Sequence, residues 1–347
     1  GDHPDLEVDS LLDLAKRYLP TVHLQGHYRS KSLELIDFSN KHFYEGRLQL
    51  LPDRNTLNEH EPGIEYQQVD GAWEDNTNPV EAEVVVSRVQ SLLAADPTKE
   101  IGVVTFNAPQ QMLILDLLEE RLAAEGMQMP PTLFVKNIEN VQGDEKDIII
   151  FSVGYAPDKA KKKMNMQFGS LNMLGGENRL NVAVTRAREK IILICSIQPE
   201  QLRIDDVKNE GPRLLKKYLE FARDVDQRRF TPTVYADGKQ QASWYLNHQI
   251  KTWGEGKFPD FKFEVNALPM ADLHIRNENA YLGIVLTDDL QYFRSLSEKA
   301  FFAYLPSLMA RKNWNYHYVF SRNLWQDKEK VEEDLLRFIG TRIHEAQ

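Results

Sequence analysis

The sequence has very little cysteine: Cys195 is the only one among 347 residues. A single thiol excludes a disulfide within the chain and a zinc site built from several thiolates, and it suits a reducing compartment. No apolar run approaches the ~20 residues that span a bilayer, and no secretory signal peptide opens the sequence. We therefore expect a cytoplasmic protein that makes no membrane contact.

The chain also lacks an overall positive charge, because 52 acidic residues outnumber 42 Lys and Arg and give a net charge of −10. This balance argues against a globally basic surface, although it does not exclude a local basic channel. The run K-A-K-K-K at Lys159 to Lys163 is the main local exception. Two interpretations of it stay open: a solvated loop, or a patch that contacts phosphates.

A third absence is the phosphate loop G-x-x-x-x-G-K-[ST] with its carboxylate pair for Mg²⁺. The two Gly-Lys pairs, at 238–239 and 256–257, are not followed by Ser or Thr. The chain therefore does not supply a complete nucleotide site. Together with the abrupt start at Gly1, this leads us to interpret the sequence as a fragment that is inactive alone.

What is present is an ordinary globular composition, with 42% hydrophobic and 27% charged residues and enough length for two domains. Apolar runs such as Ile101 to Thr105 and Ile148 to Val153 predict buried strands, and stripes at helical spacing lie between them. Residues 51–77 are polar and irregular, so we expect a surface excursion there, with one short strand at Ile64 to Val69.

The stretch E-N-R-L-N-V-A-V-T-R-A-R, from Glu177 to Arg188, organises the rest of the chain. Its apolar residues recur at helical spacing and predict one buried stripe: Leu180, Ala183, Val184 and Ala187. Arg179 and Arg186 are seven residues apart, so on one helix they would lie close together. Taken alone, the pattern fits either a surface helix with solvated arginines or an anion-binding helix.

This stretch resembles motif VI of the superfamily-one helicases, in the branch that includes the nonsense-decay helicase and its DNA-processing relatives. The resemblance implies that Arg186 is an arginine finger, which reaches the γ-phosphate of ATP bound between two RecA-like domains. A guanidinium suits that role because it stays charged and presents a planar fork of donors to phosphate oxygens.

The phrase H-Y-R-S at 27–30, followed by F-Y-E-G at 43–46, resembles a second element of the same family. The resemblance implies that Arg29 is a second γ-phosphate arginine and that Tyr28 stacks on the nucleotide base. The alternative is that Tyr28 belongs to the core and that Arg29 makes a structural ion pair.

The run N-I-E-N-V-Q-G-D-E at 137–145 resembles motif V of these helicases. The resemblance implies nucleotide contacts from Gln142, Gly143 and Glu145, with Glu145 accepting hydrogen bonds from ribose hydroxyls. A turn at Gly143 would bring main-chain N–H groups to the ligand. Asn137 stands where the family has threonine and would contact the nucleic-acid backbone.

The phrase T-F-N-A-P-Q at 105–110 resembles the family's T-P-Y-x-x-Q and implies nucleic-acid contacts from Thr105 and Asn107. Asn107 with Gln110, and Asn78 with Glu81 earlier in the chain, also have the spacing of helix capping boxes.

After about residue 226 a linker-like stretch leads into alternating helices and short strands, which resemble a restriction-endonuclease-like domain. Asp272 matches the first metal ligand of that group, whereas Val285 and Thr287 stand where the ligating Glu and Asp belong. Valine cannot ligate a cation. We therefore interpret this domain as a degenerate nuclease without a metal site, and we favour a solvated strand-end carboxylate for Asp272.

The resemblances together imply an α/β fold: a RecA-like parallel-sheet domain over residues 1–225 and a smaller restriction-endonuclease-like α/β domain over 226–347. We expect the C-terminal part of an ATP-dependent superfamily-one helicase that acts on single-stranded nucleic acid, with DNA favoured over RNA. ATP and Mg²⁺ would bind only together with the missing N-terminal RecA-like domain. Two alternatives remain: a metal-dependent DNA nuclease, and a non-enzymatic nucleic-acid-binding module.

Overall fold

The computed structural model describes residues 32–44, 51–59, 61–141, 143–164, 169–231, 245–265, 267–268, 271–287 and 298–346. These residues form two compact units, and each is described by itself. The strands are β1 (Ile64–Gln68), β2 (Ile101–Thr105), β3 (Phe134–Asn137), β4 (Lys146–Ser152), β5 (Ala187–Cys195), β6 (Lys262–Val265), β7 (Leu273–Arg276), β8 (Tyr281–Thr287) and β9 (Tyr316–Val319). The helices are α1 (Asp37–Phe43), α2 (Arg54–Asn58), α3 (Pro79–Ala95), α4 (Ala108–Ala124), α5 (Gly176–Val184), α6 (Glu210–Asp226), α7 (Tyr245–Lys257), α8 (Glu298–Arg311), α9 (Ser321–Gln326) and α10 (Lys328–Ala346).

The larger unit is built on a five-stranded sheet in the order β1-β5-β4-β2-β3, and all of its strand pairs are parallel. Helices α3 and α4 pack on one face, where their apolar stripes meet β2, β4 and β5 in one core. Helix α6 packs against β1 and α5. In the central strands β2, β4 and β5, most residues that point to either face are buried, as expected for a parallel sheet covered on both sides. The predicted α/β fold with a RecA-like parallel sheet is confirmed.

The chain reverses its direction across this sheet between β2 and β4. After β2 it moves outward to β3, and after β4 it moves the other way to β5. The last residues of these two strands, Thr105 and Ser152, face each other in the register. In open α/β sheets the crevice outside the carboxyl ends at such a reversal is the usual ligand position.

The predicted helix from Glu177 to Arg188 is shorter than expected. Helix α5 ends at Val184, and Ala187 already belongs to β5, where it pairs with Lys146. The hydroxyl of Thr185 donates back to the carbonyls of the last helical turn, at Asn181 and Val182. Prediction of a single helix was wrong because the pairing of β5 with β4 competes for this segment.

The smaller unit is built on a four-stranded sheet in the order β6-β7-β8-β9, antiparallel except for the parallel pair β8 and β9. Its core joins α7 and α10 to the sheet through a common set of buried apolar residues, which includes Leu246, Phe263, Leu273, Val285 and Ile339.

The short strand predicted at Ile64 to Val69 is confirmed as β1, which pairs with β5 in the large sheet. The prediction of a surface excursion was wrong for the start of the stretch. Residues 51–59 belong to the smaller unit, where the indole Nε1 of Trp314 donates to the carbonyl of Pro52 at 2.7 Å. The smaller unit therefore joins residues 40–61 to residues 232–347, and the domain boundary at 225/226 stays a prediction.

Within the described residues, no helix combines the length and the apolar character needed to cross a membrane.

Candidate functional site

The first group of predicted site residues meets at the amino edge of the large sheet. Glu145 immediately precedes β4 and Arg186 immediately precedes β5, and these strands are parallel neighbours. The amide of Lys146 donates to the carbonyl of Arg186 at 3.0 Å, which fixes the two segments side by side. Gly143 has a φ of 82°, so the turn before Glu145 uses the conformation that favours glycine.

The guanidinium of Arg186 makes fewer hydrogen bonds to the described residues than its N–H groups allow. Its Nη2 donates to the hydroxyl of Thr185 at 3.1 Å. Its Nε is buried and has no hydrogen-bond partner among the described residues. A buried donor without a partner costs about 1–3 kcal/mol, so an anion that reaches this guanidinium would be stabilised.

Arg188, two residues on, supports this edge and was not singled out from the sequence. Its Nε donates to Asp147 at 3.0 Å, and its guanidinium also forms an ion pair with Glu100. Burial works to raise the pKa of Asp147, but hydrogen bonds from the Glu100 amide and from Arg188 outweigh it and hold that pKa below its usual range. The sequence signal for this role of Arg188 was the acidic residue near the start of each of two other strands, Glu100 before β2 and Asp147 in β4.

Three predicted nucleotide-site residues, Tyr28, Arg29 and Gln142, lie outside the described residues. The convergence of Arg29 and Arg186 on one phosphate group therefore stays a prediction. Arg179 and Arg186 do not share a helix face, because Arg186 lies beyond the end of α5. The Nη1 of Arg179 donates instead to the carbonyl of Ser170 at 3.1 Å.

The second group lies at the opposite, carboxyl edge. Thr105 pairs in register with Asn137. Thr105 is fully buried, and its hydroxyl donates to the carbonyl of Asn107 at 2.8 Å. In this structure the hydroxyl orders the following loop and does not reach the surface, and its direct contact with nucleic acid stays a prediction.

Asn107 and Asn137 are half-buried, and their side-chain amides form hydrogen bonds that order the loops at this edge of the sheet. Asn107 caps α4 by accepting from the amide of Gln110 at 2.9 Å, and its Nδ2 donates to the carbonyl of Asn76 at 2.9 Å. Asn137 donates to Gln111 on the same helix at 3.3 Å. Both residues are at the surface position expected for contact with a ligand.

A buried carboxyl group lies beneath these loops, and it was missed as a feature of the site. Glu81 is fully buried, and each of its oxygens accepts a hydrogen bond from a serine at the carboxyl edge. Ser152 at the end of β4 donates at 3.0 Å, and Ser196 directly after β5 donates at 2.6 Å. Burial raises the pKa of Glu81 to about 7, although these hydrogen bonds oppose the rise.

The predicted capping boxes are therefore only half right. Asn78 and Asn107 do cap α3 and α4 by accepting from the third amide of each helix. Glu81 does not accept from the backbone amide of Asn78, as a capping box requires; it accepts from the side-chain Nδ2 of Asn78 at 2.9 Å and from the two serines across the sheet. Instead Gln110 reaches across and accepts from the amide of Asn78 at 2.7 Å, which ties the starts of the two helices together.

In the smaller unit, the predicted nuclease positions come together without forming a cation site. The carboxylate of Asp272 is buried, and it accepts from the amide of Thr287 at 2.7 Å. The hydroxyl of Thr287 donates to Asn247 at 2.6 Å, and Val285 is fully buried in the core. A solvated carboxylate at Asp272 was the wrong expectation. No group of three or more His, Cys, Asp or Glu that could hold a metal occurs in the described part of the chain.

A parallel α/β sheet of this strand order, with a T-R-A-R run directly before and at the start of β5, defines a RecA-like domain. Residues 8–198 match the family model described as AAA domain, which is more than half of the 347 residues. The chain belongs to this AAA domain family.

Two of the three relatives described next are named as helicases, and the third as a DNA-binding protein. The chain is 30% identical over 331 residues to the uncharacterized ATP-dependent helicase MG140 homolog of Mycoplasma pneumoniae, covering 89% of this chain and 28% of that protein. It is 28% identical to helicase sen1 of Schizosaccharomyces pombe, covering 50% of this chain and 10% of that protein. It is 30% identical to the DNA-binding protein SMUBP-2 of Rattus norvegicus, covering 34% and 10%. The chain thus spans about a quarter of its Mycoplasma pneumoniae relative, and its larger unit is a superfamily-one helicase-like domain.

Proposed function

We propose that this chain supplies the second motor domain of an ATP-dependent superfamily-one helicase. The observation on which this rests most is Arg186, which directly precedes β5 at the start of its neighbour β4 and whose buried Nε has no hydrogen-bond partner among the described residues. A guanidinium held in this way needs little reorganisation to receive a phosphate oxygen, which is what an arginine finger requires.

The nucleotide half-site is proposed to combine Arg186 with Glu145, Gly143 and the three residues Tyr28, Arg29 and Gln142. ATP, when bound, supplies the phosphoryl group whose transfer to water releases energy for movement. The residues here would bind and orient it, while the phosphate loop and the Mg²⁺ ligands come from a separate RecA-like domain of the same protein.

Nucleic acid is proposed to bind at the opposite edge of the sheet, along the loops that hold Asn107 and Asn137. An amide offers both a donor and an acceptor to sugar and phosphate groups, which position a strand without reading its sequence. Single-stranded DNA is our first choice of substrate, and RNA is the alternative. We place the protein in the cytoplasm.

The smaller unit is proposed to be a degenerate restriction-endonuclease-like domain that serves in docking or DNA contact. The supporting observation is that the oxygens of Asp272 are engaged by Thr287 and Asn247, while Val285 offers no ligating atom. A metal-dependent nuclease activity is therefore not favoured by any contact among the described residues of this unit.

The decisive experiment joins this chain to a phosphate-loop domain of the same protein and measures ATP hydrolysis with single-stranded DNA. We expect Arg186→Ala to lower kcat by about 10³-fold or more, because the charge of the transition state loses its partner. Arg186→Lys should rescue little, since an ammonium lacks the planar fork. The 347-residue chain alone should hydrolyse ATP only at background rate.

Arg203→Ala is the matched control, because Arg203 is an exposed arginine of the same unit. Its kcat should stay within about twofold of the unchanged protein, as expected for a surface substitution. An Arg186→Ala protein that kept the kcat of this control would overturn the proposed role.

A further inference from the structure

A cleft of about 210 Å³ opens at the carboxyl edge of the large sheet. Its walls come from the loops after β1, β2 and β4, and include Trp73, Asn76, Phe106, Asn107, Gly154 and Tyr155. The loops after β2 and β4 flank the point where the chain reverses direction across the sheet. The cleft therefore occupies the usual ligand position of this fold, on the side of the sheet away from Arg186.

Three largely buried aromatic residues line the cleft, with 8% of Trp73 and 5% each of Phe106 and Tyr155 exposed. The rings of Trp73 and Tyr155 are nearly parallel, with an interplanar angle of 24° and centroids 6.4 Å apart. The ring of Phe106 lies 6.1 Å from that of Tyr155. Rings that are packed in place lose little freedom when a flat ligand stacks on them, and a nucleobase is such a ligand.

An unused amide lies at the mouth of this cleft. Glu74 and Thr77 exchange two backbone hydrogen bonds of 2.9 Å, and the residues between them, Asp75 and Asn76, have φ angles of 51° and 62°. This is the geometry of a tight hairpin turn with two left-handed residues. The exposed side chain of Asn76 has no partner among the described residues, so it can both donate to and accept from the edge of a base.

The lysine-rich loop of residues 157–164 is hydrogen-bonded to Trp73, which lines the same cleft. The hairpin formed by residues 157–164 bonds to both sides of the Trp73 backbone: Trp73 donates to Pro157, and the amide of Lys159 donates back to Trp73, each at 3.0 Å. The ammonium of Lys159 pairs with Glu74. The next three lysines, at 161–163, are exposed and have no carboxylate partner in the described part of the chain.

We propose that this cleft receives one nucleobase of a single nucleic-acid strand, with the Asn76 amide on the base edge and the lysines at 161–163 on the flanking phosphates. The proposal rests on the proposed function, which requires a single strand to run along this edge. It adds a stacking site that would hold the strand at one base while the motor moves.

The test compares two fluorescein-labelled strands of about 12 nucleotides, one of oligo(dT) and one of the same length whose sugars carry no base. The 347-residue chain should bind oligo(dT) about tenfold more tightly than the abasic strand, because only the former can stack. Thymidine monophosphate should compete only at concentrations far above the dissociation constant of the strand, since it cannot reach the neighbouring phosphate contacts.

Two variants separate the contacts. Asn76→Gly keeps the turn, which glycine also adopts, and removes only the amide; it should weaken oligo(dT) binding about fivefold and leave abasic binding unchanged. Replacing the lysines at 161–163 by alanine should weaken binding of both strands and make the slope of log K against log salt shallower by about 2. The control replaces three exposed lysines elsewhere, Lys208, Lys217 and Lys257, and should leave that slope almost unchanged.

Equal binding of the two strands, with no effect of Asn76→Gly, would overturn the base site while leaving the Arg186 result and the proposed motor function untouched. Binding of neither strand, or full competition by the monophosphate at the strand's own dissociation constant, would also overturn it. Discrimination between the strands that is lost in Asn76→Gly alone would support it.

Discussion

The carboxyl group of Glu81 is the residue on which the carboxyl edge of the large sheet depends most. It joins the ends of β4 and β5 through Ser152 and Ser196, and it accepts from the amide of Gly154 at 2.9 Å. The same network reaches Asn78, whose Nδ2 donates to Glu81 at 2.9 Å. A satisfied buried polar network of this kind fixes one arrangement of the surrounding loops.

Glu81 makes the stability of the larger unit depend on pH. Because burial raises its pKa from 4.5 to about 7, the native state holds a proton that the unfolded chain has lost. The contribution of the Glu81 carboxyl group to the stability of the native state is therefore fully present below about pH 4.5. It is lost as the pH rises through about 7. We expect the free energy of unfolding, relative to that of Glu81→Gln, to fall by up to about 3 kcal/mol between pH 5 and pH 8.

Denaturant unfolding at several pH values checks this prediction. Glu119→Gln, on an exposed face of α4, is the control for loss of a carboxylate without burial. If the difference between the unchanged protein and Glu81→Gln is the same at pH 5 and at pH 8, the carboxyl group is ionised in the native state throughout and the prediction is wrong.

At the scale of elements, strands and cap residues were predictable because local patterns specify them. Apolar runs predicted β2 and β4 to within two residues at each end, and Asn107 caps α4 as its spacing required. The end of α5 was not predictable from the pattern. Ala187 is buried whether it extends a helix or starts a strand, and only its pairing with Lys146 decides between them.

The site, too, could be predicted from the sequence only where local pattern decides the structure and not where tertiary packing does. The motif resemblance brought Arg186 and Glu145 together correctly, because each directly precedes a strand of the same sheet. It did not foresee the burial of Thr105, since a threonine at a strand end can point outward or inward, and only the packing of the sheet determines which. It also missed Trp73, whose burial depends on a hairpin far along the chain.

Two glycines hold α5 and α6 in place around one carbonyl oxygen. A Cβ at Gly176, at the start of α5, or at Gly211, at the start of α6, would press on the carbonyl of Leu171 at a distance that real Cβ atoms do not reach. Both helices therefore approach the same short segment at its backbone. Since α5 leads directly to Arg186, this close packing bears on the position of the arginine.

We expect Gly211→Ala to lower the free energy of unfolding by about 1–3 kcal/mol, because the added methyl forces α6 away from Leu171. Hydrogen exchange should quicken in residues 169–184, which include α5. Gly340→Ala, within α10, is the control, since a Cβ there meets open space; it should be neutral or slightly stabilising. Unchanged exchange in α5 after Gly211→Ala would show that the contact is unimportant.

At the scale of the whole molecule, chain order and structural units do not coincide. Residues 40–61 precede the large sheet in sequence but join the smaller unit with residues 232–347. Asn58 exchanges two hydrogen bonds with the backbone of Tyr281, at 3.1 and 2.7 Å, and Asn313 donates to Asp53 at 2.8 Å. A polar, irregular segment reads as a surface loop in sequence, because nothing local reveals a partner more than 200 residues away.

The smaller unit should therefore be unstable when it is cut at the boundary that the sequence suggests. A chain of residues 232–347 leaves the Trp314 indole and the amide of Tyr281 without their partners. We expect it to be less stable by about 4 kcal/mol than the same chain with residues 50–61 joined through a flexible Gly/Ser linker, at roughly 1 kcal/mol for each of the four side-chain hydrogen bonds lost with Pro52, Asp53 and Asn58. Urea unfolding followed by circular dichroism measures the difference. The joined chain carrying Asp53→Ala and Asn58→Ala should lose most of the gain, whereas equal midpoints for all three chains would mean that residues 232–347 fold without the earlier segment.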